Sequence, residues 1–495
     1  MRYLLKNGNI ITPDQIFLGS ILIKNSKISK IYDKADNLPL VREEETIDCT
    51  DCFIIPGIID PHVHLRDFDQ HHKESIDTCT KAAIENGVTM VIGMPNTIPR
   101  LNSINSIKDY INKIKETAVC DVGLYAVLPE TDLSDYLRNL QKIGVFGIKI
   151  YPGDSPNLLN WNPLLQMWED LKEEMNEYLG NLDEFIEKLD EYIRLNYPSS
   201  QFRENIAGWV DVIGMISKYH LHLLFHADIP LESKIREIRF KTFEGIHQSP
   251  LVSHSANHSK LQELLHIYFV FCLLRNCESK FIPSITFCHV SSIEAIHFIE
   301  KLNAKLLSCP IYFEITPHHT YLHQNIELDI PSYGKVLPPL RLQVDNREIQ
   351  QFLNSSNHCQ VFYGSDHAPH SLEEKKLDFD HAPPGFPNLD IYPKFILSRF
   401  LENGRDLRKF VLYSSYNPSQ IYQIKNKGVI NAGYDADLVV FREMQPYTIS
   451  IESFHSKSRI CPYPLEKITV QIEHVFLKGK KVPQTKGKYI ARTYK

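Results

Sequence analysis

Residues 54–66 read Ile-Ile-Pro-Gly-Ile-Ile-Asp-Pro-His-Val-His-Leu-Arg. The run Ile54–Ile59 is apolar throughout, as a parallel strand buried on both faces must be. Beyond it His62 and His64 stand two residues apart, so in extended chain both point to one face. Seven further apolar runs follow, at Val88–Met94, Val122–Val127, Val145–Tyr151, Leu221–Phe225, Ile285–Cys288, Ile311–Ile315 and Val361–Tyr363. Most are separated by stretches long enough for a helix. Eight such units predict an α/β fold, a (β/α)8 TIM-like barrel, whose chemistry belongs at the C-terminal ends of the strands.

Those ends carry potential ligands. Lys149 closes Gly147-Ile-Lys-Ile-Tyr151, His226 follows Leu221–Phe225, His289 follows Ile285–Cys288, and Asp366 with His367 follows Val361–Ser365. Any one could be a hydrogen-bonded core residue, and an isolated H-x-H is a weak signal. Their recurrence at strand ends points to one site. Imidazole and carboxylate favour zinc, with manganese, cobalt or iron as alternatives. A charged lysine cannot bind a cation, whereas the carbamate it forms with carbon dioxide offers two oxygens. The other reading of Lys149 is a lysine paired with an internal acid.

Outside the barrel, residues 1–55 and 425–495 read as short strands separated by turns, among them Ile21–Ile23, Ile28–Ile31, Asp437–Phe441, Ile468–Ile472 and His474–Leu477. Both chain ends are therefore expected to build one small sheet domain around a barrel of residues 56–424. An insert at about 158–215 interrupts the barrel pattern. Leu164, Trp168, Leu171, Met175 and Leu179 share one helix face, Leu182, Ile186, Leu189 and Ile193 another, and Gly180-Asn181 breaks the two apart. Glu169–Glu191 holds ten acidic residues and two lysines, which reads as a solvated face of two amphipathic helices.

Composition excludes several classes. The 495 residues carry a formal charge of −6, with none of the basic excess that nucleic acid or anionic lipid would demand. No stretch of about 18 apolar residues exists, the run Ile267–Leu274 being far too short, so no membrane span is expected. The N-terminus does not look like a signal peptide. Ten scattered cysteines, including the pair Cys49 and Cys52, form no disulfide framework, and the cytoplasm is the expected compartment.

The segments GIIDPHVHLRD, MPNT (Met94–Thr97), GIKIY, FHAD, CHVSS, EITPHH and SDHAPHSLEEK, with NPSQIY, GVINAGYDADLVV and SKSRICPYPLEK in the tail, resemble the dihydroorotase branch of the amidohydrolase superfamily. The likeness spans residues 1 to about 485, and it implies a binuclear zinc barrel fused to a small β-sandwich domain made from both chain ends. It implies a zinc-dependent cyclic amide hydrolase of pyrimidine (UMP) biosynthesis that interconverts N-carbamoyl-L-aspartate and (S)-dihydroorotate through a metal-bridging hydroxide. Dihydropyrimidinase, hydantoinase or allantoinase activity is the alternative, and a non-enzymatic scaffold is a third.

Carried over by motif, the resemblance implies two Zn2+. His62 and His64 hold one, His226 and His289 the other, and N6-carboxylated Lys149 bridges them. Asp366 ligates the first metal and moves the proton. Arg66 and Asn96 resemble the pair that grips a substrate carboxylate, and His370, Leu337, Pro384 and Gly385 resemble further substrate contacts. The implied partners are that small substrate and either a second copy of the chain or a pyrimidine-pathway enzyme. The chain departs from the family at Asp67-Phe68-Asp69, where relatives often have Glu-Pro-Gly. It departs again at Leu337, where many have a polar residue, and at Asp228, where Glu is usual.

Overall fold

The computed structural model describes residues 2–33, 38–40, 42–130, 132–196, 199–230, 249–277, 282–306 and 311–494. Its centre is an eight-stranded parallel barrel. The strands are β1 (Ile58–Val63), β2 (Val88–Gly93), β3 (Asp121–Ala126), β4 (Gly147–Ile150), β5 (His222–Phe225), β6 (Ile285–Phe287), β7 (Ile311–Ile315) and β8 (Val361–Tyr363). Each pairs in parallel with the next. A parallel bridge between Val63 and His367 joins β1 to the segment after β8, and the His64 N–H donates to His367 O at 2.8 Å.

One expected strand is in fact two. Cys52–Pro56 belongs to the sheet built by the chain ends, and the barrel begins only at Ile58. Gly57 makes the switch. A Cβ there would lie 2.2 Å from Thr89 Oγ1, so only glycine lets the chain cross so close to β2. The end-built sheet also contains Arg2–Ile11, Ile16–Lys24, Lys27–Asp33, Thr46–Asp48, Leu438–Tyr447, Ile468–Leu477 and Lys480–Lys481. Ile468–Ile472 and His474–Leu477, expected as separate strands, run as one. Val440 pairs with His474 and Phe441 with Ile472, leaving Glu473 as the extra residue of a bulge. Cys49 and Cys52 are buried in this sheet's core, and burial pushes the Cys49 thiol up to about 12.

Ile59, Met90, Tyr125, Phe146, Leu224 and Phe362 fill the barrel interior, as large and branched side chains do in such barrels. Ile421, Tyr422 and Ile424 cluster with them, with the Tyr422 ring 5.0 Å from His222. Buried Lys427 pairs with Asp121 at 2.8 Å and with Asp437, tying β3 to the end-built sheet. The last residues also lie on the barrel. Ile490 N–H donates to Val122 O at 2.8 Å and Arg492 Nη1 to Phe146 O at 2.9 Å.

Among its described residues the insert holds three helices where two were expected: Asn162–Leu171, Leu182–Asn196 and Ser199–Lys218. The first stops at Leu171 and hands over to a 3-10 turn at Met175–Tyr178, so the face drawn through Leu179 is broken earlier than its periodicity implied. The apolar faces pack on the barrel's own outer helices. Phe185 meets Phe298 with ring centroids 5.5 Å apart, and Trp209 meets Phe269 at 5.7 Å. This covers the helix Lys260–Asn276, in which every residue from Leu261 to Leu274 is buried. A helix that is apolar all round must be enclosed on all sides, which accounts for the run at Ile267–Leu274. Among the described residues no helix is long and apolar enough to cross a membrane.

Candidate metal centre

Strand β1 delivers His62 and His64 to the C-terminal mouth of the barrel. Asp60, fully buried one turn of the pleat earlier, accepts from His62 N–H at 3.1 Å and Ser365 N–H at 3.0 Å, clamping the ends of β1 and β8 together. Asp366 is thereby set opposite the histidine pair. Nε2 of His62 and Nε2 of His64 each lie 3.2 Å from Asp366 Oδ1. On the other side of the mouth His226 Nδ1 faces His289 Nε2 at 2.9 Å. The two groups adjoin, with His62 and His289 ring centroids 5.3 Å apart.

Neighbours fix which nitrogen each ring presents. His62 Nδ1 lies 2.8 Å from Glu314 Oε1, and His64 Nδ1 lies 2.7 Å from Asn96 Oδ1. Both contacts leave Nε2 directed at Asp366, the arrangement in which a carboxylate or carbonyl orients a ligating histidine. Burial, aided by Lys149, pulls His226 down to about 3. Burial also pulls His64 down to about 4, in spite of Asp366. These rings are neutral and have lone pairs to give, as metal binding requires. His62 differs. Burial opposes its charge, but Glu314 and Asp366 outweigh that and push it up to about 10. Burial likewise opposes ionisation of Asp366, yet His62 and His64 hold it well below the usual carboxylate range.

Lys149 lies near His226 and His289, 1% exposed, with its Nζ lacking a hydrogen-bond partner among the described residues. His289 Nδ1 and Glu314 Oε2 lack one too. Buried polar atoms are nearly always paired, so a cluster of open ones needs an occupant. The donors are imidazoles and carboxylates, a set that fits zinc, and a lysine amine beside them with no acid partner fits a derivatised amine better than a structural ion pair.

Strain collects at the same place. Arg66, Asp67 and Phe68 all have positive φ, at 55°, 62° and 46°, as do His289 at 39° and Asp366 at 48°. Each such residue costs on the order of 1–3 kcal/mol, a cost that clusters at working sites. The family-departing Asp67 and Phe68 are absorbed structurally. Asp67 accepts from Ile76 N–H at 3.0 Å at the start of the helix Ile76–Glu85, and Phe68 stacks on Tyr110 with centroids 5.5 Å apart. Tyr110 in turn donates to Arg66 O at 2.8 Å. Asp228 accepts from Ile229 N–H at 2.8 Å and lies 2.9 Å from His258 Nδ1.

The substrate residues named from sequence are brought together in part. Arg66, 5% exposed, donates from Nε to Pro369 O at 3.2 Å, with Nη2 3.2 Å from His370 Nε2. Among the described residues no carboxylate makes an ion pair with it. Burial, with Arg66 and Lys73 beside it, holds His370 well below its ordinary range and so neutral. Asn96 gives its carbonyl to His64 and keeps its amide N–H2 to donate. Gly385 lies against Ala368 and His370, with φ 121° and room for no Cβ, while Pro384 is exposed. Leu337 is half-buried, and its flanking carbonyls serve His254 and His319; no hydrogen bond among the described residues ties it to the histidine groups.

Sequence reasoning left Cys288 and Glu314 without a role. His62, Cys288 and Glu314 present ligand atoms within 4.8 Å of one another, as do His62, His64 and Asp366. A glutamate inside a buried strand was the available signal for Glu314.

A model of the amidohydrolase family matches residues 53–259 and 276–482. The chain is 28% identical to a dihydroorotase of Methanosphaera stadtmanae, over 90% of this chain and 88% of that one. It is also 28% identical to a dihydroorotase of Pyrococcus abyssi, over 95% and 93%. Its fold is similar to that of a dihydropyrimidinase from Brevibacillus agri, with TM-score 0.76, 19% identity, and 100% and 99% of the two chains covered. An L-hydantoinase from Arthrobacter aurescens matches with TM-score 0.78, 19% identity, and 99% and 97% covered.

Proposed function

The chain belongs to the amidohydrolase family, and from its mouth residues we propose that it is a dihydroorotase, interconverting N-carbamoyl-L-aspartate and (S)-dihydroorotate. The observation that carries this is Arg66. A buried guanidinium without a carboxylate partner is costly, and an anionic substrate supplies the missing charge in bidentate geometry. Dihydropyrimidines and hydantoins have no such carboxylate to offer. The curated relatives named dihydroorotase, matched over most of both chains, support the same reading.

His62, His64 and Asp366 are suited to hold one divalent ion, His226 and His289 a second, and Lys149, carboxylated on Nζ, to bridge them. Bound there, two zinc ions would polarise the ring carbonyl and ease deprotonation of the attacking water. The chain's residues do the rest. Glu314 and Asn96 keep His62 and His64 turned toward Asp366. Asp366, held ionised, takes the proton of the attacking water and passes it to the departing ring nitrogen. In the reverse direction it takes the proton from the carbamoyl nitrogen as the ring closes. Arg66 and the Asn96 amide fix the carboxylate, and neutral His370 offers a hydrogen bond beside them. The free thiols of the described cysteines support a reducing compartment, and we propose the cytoplasm.

The test is a substrate panel on the purified, zinc-loaded protein. Turnover of dihydroorotate should exceed that of dihydrouracil, hydantoin and allantoin by at least about a hundredfold in kcat/KM, the upper end of what one charged contact supplies. A preference for any neutral ring would reject the proposal in favour of a hydantoinase-like enzyme.

A further inference from the structure

Two lysines are buried beside this site and take no part in the chemistry above. Lys375 has no exposed surface, and Lys335 is 8% exposed. Both donate to backbone carbonyls of one loop. Lys335 Nζ donates to Phe379 O at 2.7 Å, Asp380 O at 3.2 Å and Ala382 O at 2.8 Å. Lys375 Nζ donates to Pro383 O at 3.0 Å and to Lys335 O at 3.4 Å. That same Lys335 carbonyl accepts from Gly385 N–H at 2.8 Å. The loop thus closes on an internal post made of two ammonium groups. Burial, with Lys335 beside it, pushes Lys375 down to about 7, and the carbonyls that accept from it favour its charged form.

Where the loop comes out matters. Immediately after the pinned carbonyls, Gly385 fits against Ala368 at a position where a Cβ would meet Ala368 O at 2.6 Å and His370 Cδ2 at 3.4 Å. Ala368 N–H donates to Phe386 O at 3.1 Å, fastening the exit of the loop to the segment after β8. The post therefore sets the backbone of residues 383–386 against His370, and through His370 against Arg66. We propose that Lys335 and Lys375 are positioning residues, which hold this backbone as one wall of the substrate pocket without touching the reacting atoms. The assignment of the wall to the substrate pocket rests on the reading under Proposed function; the post itself does not.

The experiment compares the full-length protein with Lys335→Met, Lys375→Met and the double variant. Hydrogen exchange, steady-state kinetics and metal content are measured on each. Amides of residues 379–386 should exchange at least about tenfold faster while the rest of the barrel stays protected. KM for dihydroorotate should rise about tenfold or more with kcat within about threefold, as loss of a positioning contact predicts. Metal content should not change. The double variant should do little more than either single one, because both lysines hold one loop. Unchanged exchange at 379–386, or faster exchange with unaltered KM, overturns the proposal. Should the methionine variants not fold, Lys335→Arg and Lys375→Arg keep the charge in a side chain of different shape. Exchange raised in the loop alone supports the post, and protection lost uniformly refutes it. A wild type inactive on dihydroorotate would sink the proposed function alone. The exchange result would still decide the post, and KM would be read on whichever ring the enzyme opens.

Discussion

At the floor of the barrel the buried charges face one another; at its mouth they face open positions. Lys427 sits between Asp121 and Asp437, and Lys478 adds a second cation to Asp121 at 2.7 Å. At the other end of the same strands, among the described residues, Lys149 Nζ and His289 Nδ1 lack hydrogen-bond partners and Arg66 has no carboxylate in an ion pair. Backbone conformation does not divide the ends: five mouth residues, Arg66 to Phe68, His289 and Asp366, take positive φ, and so do Asn426 and Lys478 at the floor. The difference in charge pairing separates what the protein does from what keeps it folded.

Removing a group from each end should therefore give opposite signatures. The largest effect is expected at the mouth. His226→Ala or Lys149→Ala should lower kcat by more than about a thousandfold, because the activated water is lost with the ions. Stability measured without metal should hardly fall, since Lys149 Nζ makes no hydrogen bond among the described residues and His226 bonds to another site histidine, His289. Elemental analysis should show metal lost in parallel, and chelation of the wild type should reproduce the defect until zinc is returned. A Lys149→Ala protein with two ions and the wild-type rate would place the bridge elsewhere.

The floor should answer in stability alone. Lys427→Met leaves Asp437 buried without a counter-charge and Asp121 with Lys478 alone, and should cost about 3–5 kcal/mol in denaturant unfolding, with the specific activity of the folded fraction unchanged. The pH dependence carries a definite sign. Burial opposes the Lys427 charge, but Asp437 and Asp121 outweigh it and raise the group above its ordinary 10.5. Its contribution is then complete below about pH 10.5 and is lost only as pH climbs through the raised folded value. A contribution that disappeared already near neutrality would contradict the pairing.

Arg66→Met sharpens the mouth side. Transition-state binding of dihydroorotate should weaken by about 1.5–3 kcal/mol, roughly tenfold to over a hundredfold in kcat/KM. A neutral ring should be affected far less, and metal content should stay the same. Equal losses for charged and neutral rings would mean that Arg66 does not read the carboxylate. The smallest effect belongs to Lys478, whose side chain is 23% exposed where that of Lys427 is 3% exposed. Lys478→Met should cost no more than about 1 kcal/mol. A larger loss would show that the floor cluster is not centred on Lys427.

The sequence by itself determined the barrel, because buried parallel strands must be apolar throughout and eight such runs are visible along the chain. It also determined which residues lie at strand ends, since strand direction and alternation follow from local backbone geometry. What it did not show depends on contacts between distant residues. The division of Ile54–Ile59 between two sheets follows from the approach of Gly57 to Thr89. The enclosure of Lys260–Asn276 follows from the insert folding back on it. Glu314 orienting His62, and Asp60 clamping β1 to β8, join residues more than 250 positions apart. Lys335 and Lys375 read as ordinary surface lysines until the 379–385 loop is closed over them. Periodicity encodes which face of an element is buried. Only the folded chain decides which partner waits there, because that partner comes from another part of the sequence and leaves no local trace.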